Sequence, residues 1–268
     1  MNGMKAKFPF STSLSAAFCT LFLMTGVASA SSDDLFVTDG SHGIVYRYKP
    51  NGERQTFAFV FDVTGLAFNA AGDLYVTDYN ESIIYKVGGN NNITRFASGR
   101  GVPNPSALAF DSSGNLFVSV NGAGPGITKI APDGSKSIFV KQHFPKGLAF
   151  DSAGNLFAVV NTGVLKYAPD GTETTFAIGF FAPVALAFDS DGYLFVSDLV
   201  AGVIYKISPD GTTTSAFATD LSAPQGLAFD SSGNLFVADG FTVLKFTPDG
   251  TKSTFATGII PVDLAFRP

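Results

Sequence analysis

The chain has no tryptophan, one cysteine, two histidines and three methionines in 268 residues, and only 15% of its residues are charged. Each scarcity closes off a class of protein. The single cysteine, Cys19, lies in the first 30 residues, so residues 31–268 carry no thiol. Neither a disulfide framework nor a cysteine metal site can stabilise them. His42 and His143 fall short of the three nitrogen or sulfur ligands that a catalytic zinc usually takes. A Ser-His-Asp hydrolase would have to use one of these two, and the sequence holds no G-x-S-x-G elbow. Beyond residue 30 no apolar run approaches the ~20 residues that span a bilayer.

The first 30 residues read as a secretory signal peptide. Lys5 and Lys7 give a positive start, residues 14–27 are mostly apolar, and Ala28-Ser29-Ala30 is a small-residue cleavage pattern, with cleavage expected after Ala30. Phe18 stands before Cys19 where a lipoprotein signal needs a small residue, so no lipid anchor is expected. The expected location is therefore exported, periplasmic or secreted. Without Lys5 and Lys7, 15 basic residues face 22 acidic ones, a net charge of −7. A chain this acidic is a poor partner for nucleic acid or an anionic membrane surface.

What is abundant is repetition. GLAFNAAGDLYVTD begins at Gly65, ALAFDSSGNLFVSV at Ala107, GLAFDSAGNLFAVV at Gly147, ALAFDSDGYLFVSD at Ala185 and GLAFDSSGNLFVAD at Gly226. Phe68, Phe110, Phe150, Phe188, Phe229 and Phe266 share one slot at spacings of 42, 40, 38, 41 and 37. A period of ~40 residues, rich in short strands and turns, marks a propeller whose units must stack to bury their faces.

The last full copy parses into strand A at 226–229, a DSSG turn, strand B at 234–239, strand C at 242–247, a Pro-Asp-Gly turn, and strand D at 251–256. Prolyl turns between C and D recur at Pro50, Pro132, Pro169, Pro209 and Pro248, and the second copy uses Gly88-Gly89-Asn90 instead. Strands A and B are apolar on both faces, as strands between neighbouring blades should be. Of the 24 phenylalanines after residue 30, 17 fall in three repeat slots, which predicts ring-against-ring wedges between blades.

The ends complement one another. DLFVTD at 34–39 has no strand A before it, and DLAF at 263–266 has no strand B after it. Residues 31–268 are therefore expected to form one six-bladed β-propeller, four antiparallel strands per blade, closed by the C-terminal strand joining the N-terminal blade.

PQGLAFDSSGNLFVAD at 224–239, with Asp78, Asn80 and Ile83 after the second strand B, resembles the NHL repeat, and the resemblance covers essentially all of residues 31–268. The chain also looks like the wider TolB-like and gluconolactonase–regucalcin-like propellers. The absence of tryptophan excludes WD-type repeats, and kelch units are nearer ~50 residues. The NHL resemblance implies a ligand- or protein-binding module, a sensor domain or, less often, an enzyme, and fold alone does not choose among them. Gluconolactonases hold a divalent metal through Asn and Asp just before the Gly-Leu of strand A. The corresponding residues here are Thr64, Ser106, Lys146, Val184, Gln225 and Val262, none of them a carboxylate or an asparagine.

Strand order places the B–C loops and D–A links on one face, and the A–B and C–D turns on the other. The link face is variable, which is where function is usually grafted on a rigid scaffold. Its links at 98–106, 141–146 and 178–184 concentrate charge and aromatic groups, and its longest B–C loop, 121–126, is rich in glycine. Tyr79, Asn80, Arg100, Asn104, His143, Phe144, Lys146, Phe180, Phe181 and Gln225 are the candidate ligand residues. Asp39, Asp78, Asp198 and Asp239 end strand B in four blades; they either bind a divalent cation such as calcium or cap their own turns. Arg47, Lys86, Lys129, Lys166, Lys206 and Lys245 share a slot on strand C and are expected to form a solvated rim. No catalytic residues and no cofactor are expected. Three functions follow: a binding module for a protein, small-molecule or carbohydrate ligand; a divergent metal-dependent hydrolase or lyase; or a structural envelope or matrix protein.

Overall fold

The computed structural model describes residues 33–88, 92–122, 126–141 and 143–268. The expected signal peptide, residues 89 and 90 of the Gly-Gly-Asn turn, and residues 123–125 of the glycine-rich loop lie outside the described residues.

The described residues form six antiparallel four-stranded sheets, the blades of a six-bladed β-propeller. Blade 1 takes β1 (Leu35–Asp39), β2 (Ile44–Tyr48) and β3 (Arg54–Phe59) from the N-terminal side. Blade 2 is β4 (Val63–Phe68), β5 (Leu74–Asp78), β6 (Ile83–Val87) and β7 (Ile93–Ser98). Blade 3 is β8 (Pro105–Phe110), β9 (Leu116–Val120), β10 (Ile127–Ile130) and β11 (Lys136–Val140). Blade 4 is β12 (Leu148–Phe150), β13 (Leu156–Val160), β14 (Gly163–Tyr167) and β15 (Glu173–Ile178). Blade 5 is β16 (Pro183–Phe188), β17 (Leu194–Asp198), β18 (Val203–Ile207) and β19 (Thr214–Ala218). Blade 6 is β20 (Pro224–Phe229), β21 (Leu235–Asp239), β22 (Thr242–Phe246) and β23 (Lys252–Thr257). The last strand, β24 (Pro261–Phe266), returns to blade 1 and pairs antiparallel with β1, Leu35 opposite Phe266 and Val37 opposite Leu264. The complementary ends thus close the ring, as the repeat predicts.

Local chemistry explains the regularity. In the A–B turn of blade 3, Asp111 Oδ1 accepts the amides of Ser113 at 3.0 Å and Asn115 at 2.8 Å, and Asn115 returns its side-chain amide to Oδ2 at 2.7 Å. Gly114 closes the turn at φ 79°, a conformation that a side chain would strain. The same D-x-x-G-N bonding recurs at Asp151 and Asp230.

Strand B is fully buried in every blade, and strand D is exposed over its first three residues. Each strand B aromatic receives two rings edge-on. Phe36 meets Phe57 of its own blade at 4.8 Å and Phe68 of the next at 4.9 Å. Tyr75, Phe117, Phe157, Phe195 and Phe236 repeat the arrangement. Such edge-to-face pairs add about 0.5–1.5 kcal/mol each beyond the area that they bury. The Phe236–Phe266 pair carries the wedge across the seam where the ring closes.

The strand C cations pair and stack. Lys86 binds Asp73 at 2.8 Å, and Lys206 lies 3.4 Å from Asp189 and 4.0 Å above the Tyr193 ring. Each of these lysines is about one-third exposed, so their effect on stability is modest. Arg47 departs from the expected solvated rim. It is 4% exposed and donates Nε to Asp34 at 2.6 Å, because blade 1 has no A–B turn of its own and Asp34 supplies the carboxylate instead.

Candidate functional site

The six first strands, β24, β4, β8, β12, β16 and β20, enclose a central channel of about 550 Å³. Its wall is built from two repeated slots. The outer slot, at the link face, holds Thr64, Ser106, Lys146, Val184, Gln225 and Val262; the inner one holds Gly65, Ala107, Gly147, Ala185, Gly226 and Asp263. The inner slot is small because neighbouring strands nearly touch. A Cβ on Gly65 would fall 1.8 Å from the Ser106 carbonyl oxygen, and one on Gly147 would fall 2.8 Å from that of Val184.

A hydroxyl sets the inner slot in four blades. Thr38, Thr77, Ser119 and Ser197, each fully buried, accept the slot amide: Asp263 at 2.9 Å, Gly65 and Ala107 at 2.7 Å, Ala185 at 3.1 Å. Each sits opposite a break in the A–B register, where the hydroxyl replaces the missing ladder bond. This role of the penultimate residue of strand B goes unread in the sequence, although Ser or Thr recurs there in four copies.

Among the described side chains, Asp263 is the one acid in the channel wall. Its Oδ1 accepts its neighbour Leu264 N–H at 2.9 Å, and its Oδ2 accepts Leu66 N–H of blade 2 at 3.0 Å. Protein encloses it, and its residual surface faces the lumen. Burial pushes its carboxyl up to about 6, against the lowering effect of those two amides. The sequence shows Asp263 only as a substitution in the slot before LAF; that the slot faces a lumen needs the ring.

The strand-end aspartates serve their own blades. Asp198 accepts Phe181 N–H at 2.7 Å, Ala182 N–H at 3.0 Å and Ala201 N–H at 3.1 Å, tying the D–A link to the B–C loop. Asp239 accepts Ala223 N–H at 2.7 Å and Asp78 accepts Glu81 N–H at 3.0 Å. Burial raises the Asp78 carboxyl, and Asp62 and Glu81 add to the rise against the Glu81 amide. Burial acts the same way on Asp39, but hydrogen bonds from Ser41 and His42 outweigh it and leave that carboxyl below its ordinary value. Ser41, His42 and Asp39 touch one another, yet both contacts of the ring go to Nδ1, at 2.7 and 3.0 Å. A relay needs the two ring nitrogens to serve different partners. Among the described residues no three His, Cys, Asp or Glu side chains are grouped to hold a metal ion.

The candidate ligand residues do not form one patch. Lys146 and Gln225 line the channel mouth. Tyr79 and Asn80 line a separate depression of about 400 Å³ between blades 1 and 2. Asn104 is a strut, its amide donated to the Tyr79 carbonyl at 3.1 Å, and Arg100 is exposed on the same link. His143 turns to the rim, 3.5 Å from Glu173. Phe144 and Phe181 are exposed, but Phe180 is not: it is 4% exposed and packs edge-on against Tyr205 at 5.2 Å. Of the adjacent Phe180–Phe181 pair one thus plugs the blades and the other faces water.

The link face is nonetheless distinctive. Phe59, Phe61, Phe144, Ile178, Phe181, Val200, Phe241 and Ile260 are exposed, several by more than two-thirds, and all belong to its links, B–C loops or adjoining strand ends. Most exposed aspartates, including Asp133, Asp170, Asp210 and Asp249, are on the opposite face.

No protein-family model and no curated protein matches the sequence. Solved structures match the fold. A chain from a nidogen/laminin complex is similar at a TM-score of 0.79 and 17% identity, covering 88% of this chain and 98% of that one. Virginiamycin B lyase from Staphylococcus aureus is similar at 0.66 and 14%, covering 87% and 83%. A putative gluconolactonase is similar at 0.64 and 17%, covering 74% and 77%. At these identities the likeness establishes the six-bladed propeller and no activity.

Proposed function

We propose that the chain is an exported propeller of NHL type that acts as a binding module and docks a protein partner on its link face. The observation that carries this reading is the gathering of five exposed phenylalanines and three aliphatic side chains on that face, with most exposed aspartates on the other. A large exposed apolar patch on a water-soluble domain marks an interaction surface, and aromatic side chains supply most interface hot spots. The partner's matching surface is apolar and weakly charged. An anionic bilayer fits poorly, because the chain is acidic and Arg100, Lys141 and Lys146 sit to one side of the apolar ring, on the links into blades 3 and 4. The similarity to a chain of a protein–protein complex supports the reading. A metal-dependent hydrolase or lyase would have to use Asp39, Asp78, Asp198 or Asp239, which are bonded within their own blades, and is otherwise suggested only by the names of the other neighbours.

The test is a triple substitution, Phe61→Ser, Phe181→Ser and Phe241→Ser, compared with wild type in pull-downs from the exported fraction of the source cells. These rings are at least 70% exposed, so the melting temperature should hold. Loss of a saturable partner supports the assignment. Retention of that partner at wild-type affinity, or binding only to lipid vesicles, removes it.

A further inference from the structure

The channel departs from its own repeat in two places, and the two departures carry opposite charge. Of the described side chains lining it, Asp263 and Lys146 alone are ionisable. Asp263 belongs to β24 in blade 1 and Lys146 precedes β12 in blade 4, so in a ring of six blades they stand on opposite walls. Neither side chain forms an ion pair among the described residues. Five blades build the inner slot with Gly or Ala, so the fold itself does not require a carboxylate there. Gly226 lies against it as well, but a Cβ there would meet the backbone first, at 2.7 Å from Asp263 Cα, 2.8 Å from its Oδ1 and 2.9 Å from the Val262 oxygen. An enclosed carboxylate held only by two amides lacks a counter-charge, and a ligand cation would supply one.

We propose that the channel binds a small amphoteric molecule, a primary amine at one end and a carboxylate at the other, with its ammonium on Asp263 and its anionic end on Lys146. The cavity of about 550 Å³ is of the size that takes small ligands. Thr64, Ser106 and Gln225 offer neutral hydrogen-bonding groups between the two charges. This site opens on the link face but uses the channel wall and not the exposed apolar side chains, so it does not depend on the partner proposed there. The competing role for Asp263, a clasp for the Leu66 amide, makes no use of Lys146, so Lys146 separates the two.

The experiment is calorimetric titration of the full chain with ε-aminocaproate and its shorter homologue γ-aminobutyrate, beside hexylamine and caproate, which carry one end each. An amphoteric probe should bind saturably, and both one-ended probes at least tenfold more weakly. Lys146→Gln, at the exposed mouth, should reduce the amphoteric probe to the affinity of hexylamine and leave hexylamine itself unchanged. Asp263→Asn, with its fold checked by circular dichroism, should abolish binding of all three amines. The groups facing Asp263 from β1, β4 and β20 are the Thr38 hydroxyl, the Leu66 amide and Gly226; Asp39 of β1 and Asp239 of β21 stand at the strand ends, bonded to their own loops, and only burial and the Leu66 and Leu264 amides act on the Asp263 carboxyl. Amine affinity should therefore fall as Asp263 takes up its proton near pH 6. No saturable signal from either amphoteric probe at millimolar concentration overturns the proposal, as does wild-type affinity in Lys146→Gln.

Discussion

Replacing Asp263 with Asn should remove a defined pH dependence from folding. Burial holds the native carboxyl at about 6, against an unfolded value of 3.8. Between those values the folded chain binds a proton that the unfolded chain has released. The contribution to stability is therefore greatest below about pH 4 and is lost as pH rises through 6. About two pH units at roughly 1.4 kcal/mol each makes the loss about 3 kcal/mol. In a chain of this size that is about 6–12 °C in melting temperature. The absolute stability of the variant is the poorer readout. One side-chain oxygen of Asn cannot accept both the Leu66 and the Leu264 N–H as the two carboxylate oxygens do. An N–H left facing the Asn NH₂ costs about 1–3 kcal/mol. The slope is cleaner. Urea unfolding of wild type and Asp263→Asn should be followed by circular dichroism, since the chain has no tryptophan to report. Carboxylates elsewhere titrate in both proteins and cancel in the difference. Parallel curves between pH 4 and 7 would refute the buried-carboxylate reasoning.

Deleting residues 262–268 strips β24 from blade 1 and removes the Phe236–Phe266 wedge, so the shortened chain should aggregate or lose its cooperative melt. Gly65→Ala places a methyl 1.8 Å from the Ser106 oxygen and should cost about 3 kcal/mol in denaturant unfolding. Asp198→Ala strands the amides of Phe181, Ala182 and Ala201 and should cost about 2–4 kcal/mol. With capping as the role of the strand-end aspartates, elemental analysis of the purified protein should find no stoichiometric calcium; an ion present in wild type and lost in Asp78→Ala and Asp239→Ala reassigns them to a metal site.

The blade count, the turn positions and the ring closure are legible in the sequence, because each is written into every copy and the half-copies at the two ends complement one another. The phenylalanine slots are legible for the same reason, since a ring at a fixed repeat position must meet its counterpart in the next blade. What a linear reading misses depends on direction in space. Phe180 and Phe181 are chemically identical, and only the link backbone decides which one is buried. Arg47 sits in a lysine slot, but the missing turn of blade 1 hands it Asp34 and burial. Asp263 reads as a small irregularity before LAF until six strands are set around a lumen and it becomes the one acid among the described side chains of the wall.

The pairing of Thr38 with Asp263 spans 225 positions of chain. Loop closure over such a distance comes late, since its entropic cost grows with separation and is repaid only when both strands are present. During synthesis, blades 2 to 6 can be complete while blade 1 still waits for its inner strand. Until then the edge of β1 and the flank of blade 6 stay open to other chains. The arrival of β24 thus sets the moment at which the ring stops offering an open edge, and holding that strand back would keep the propeller incompletely folded.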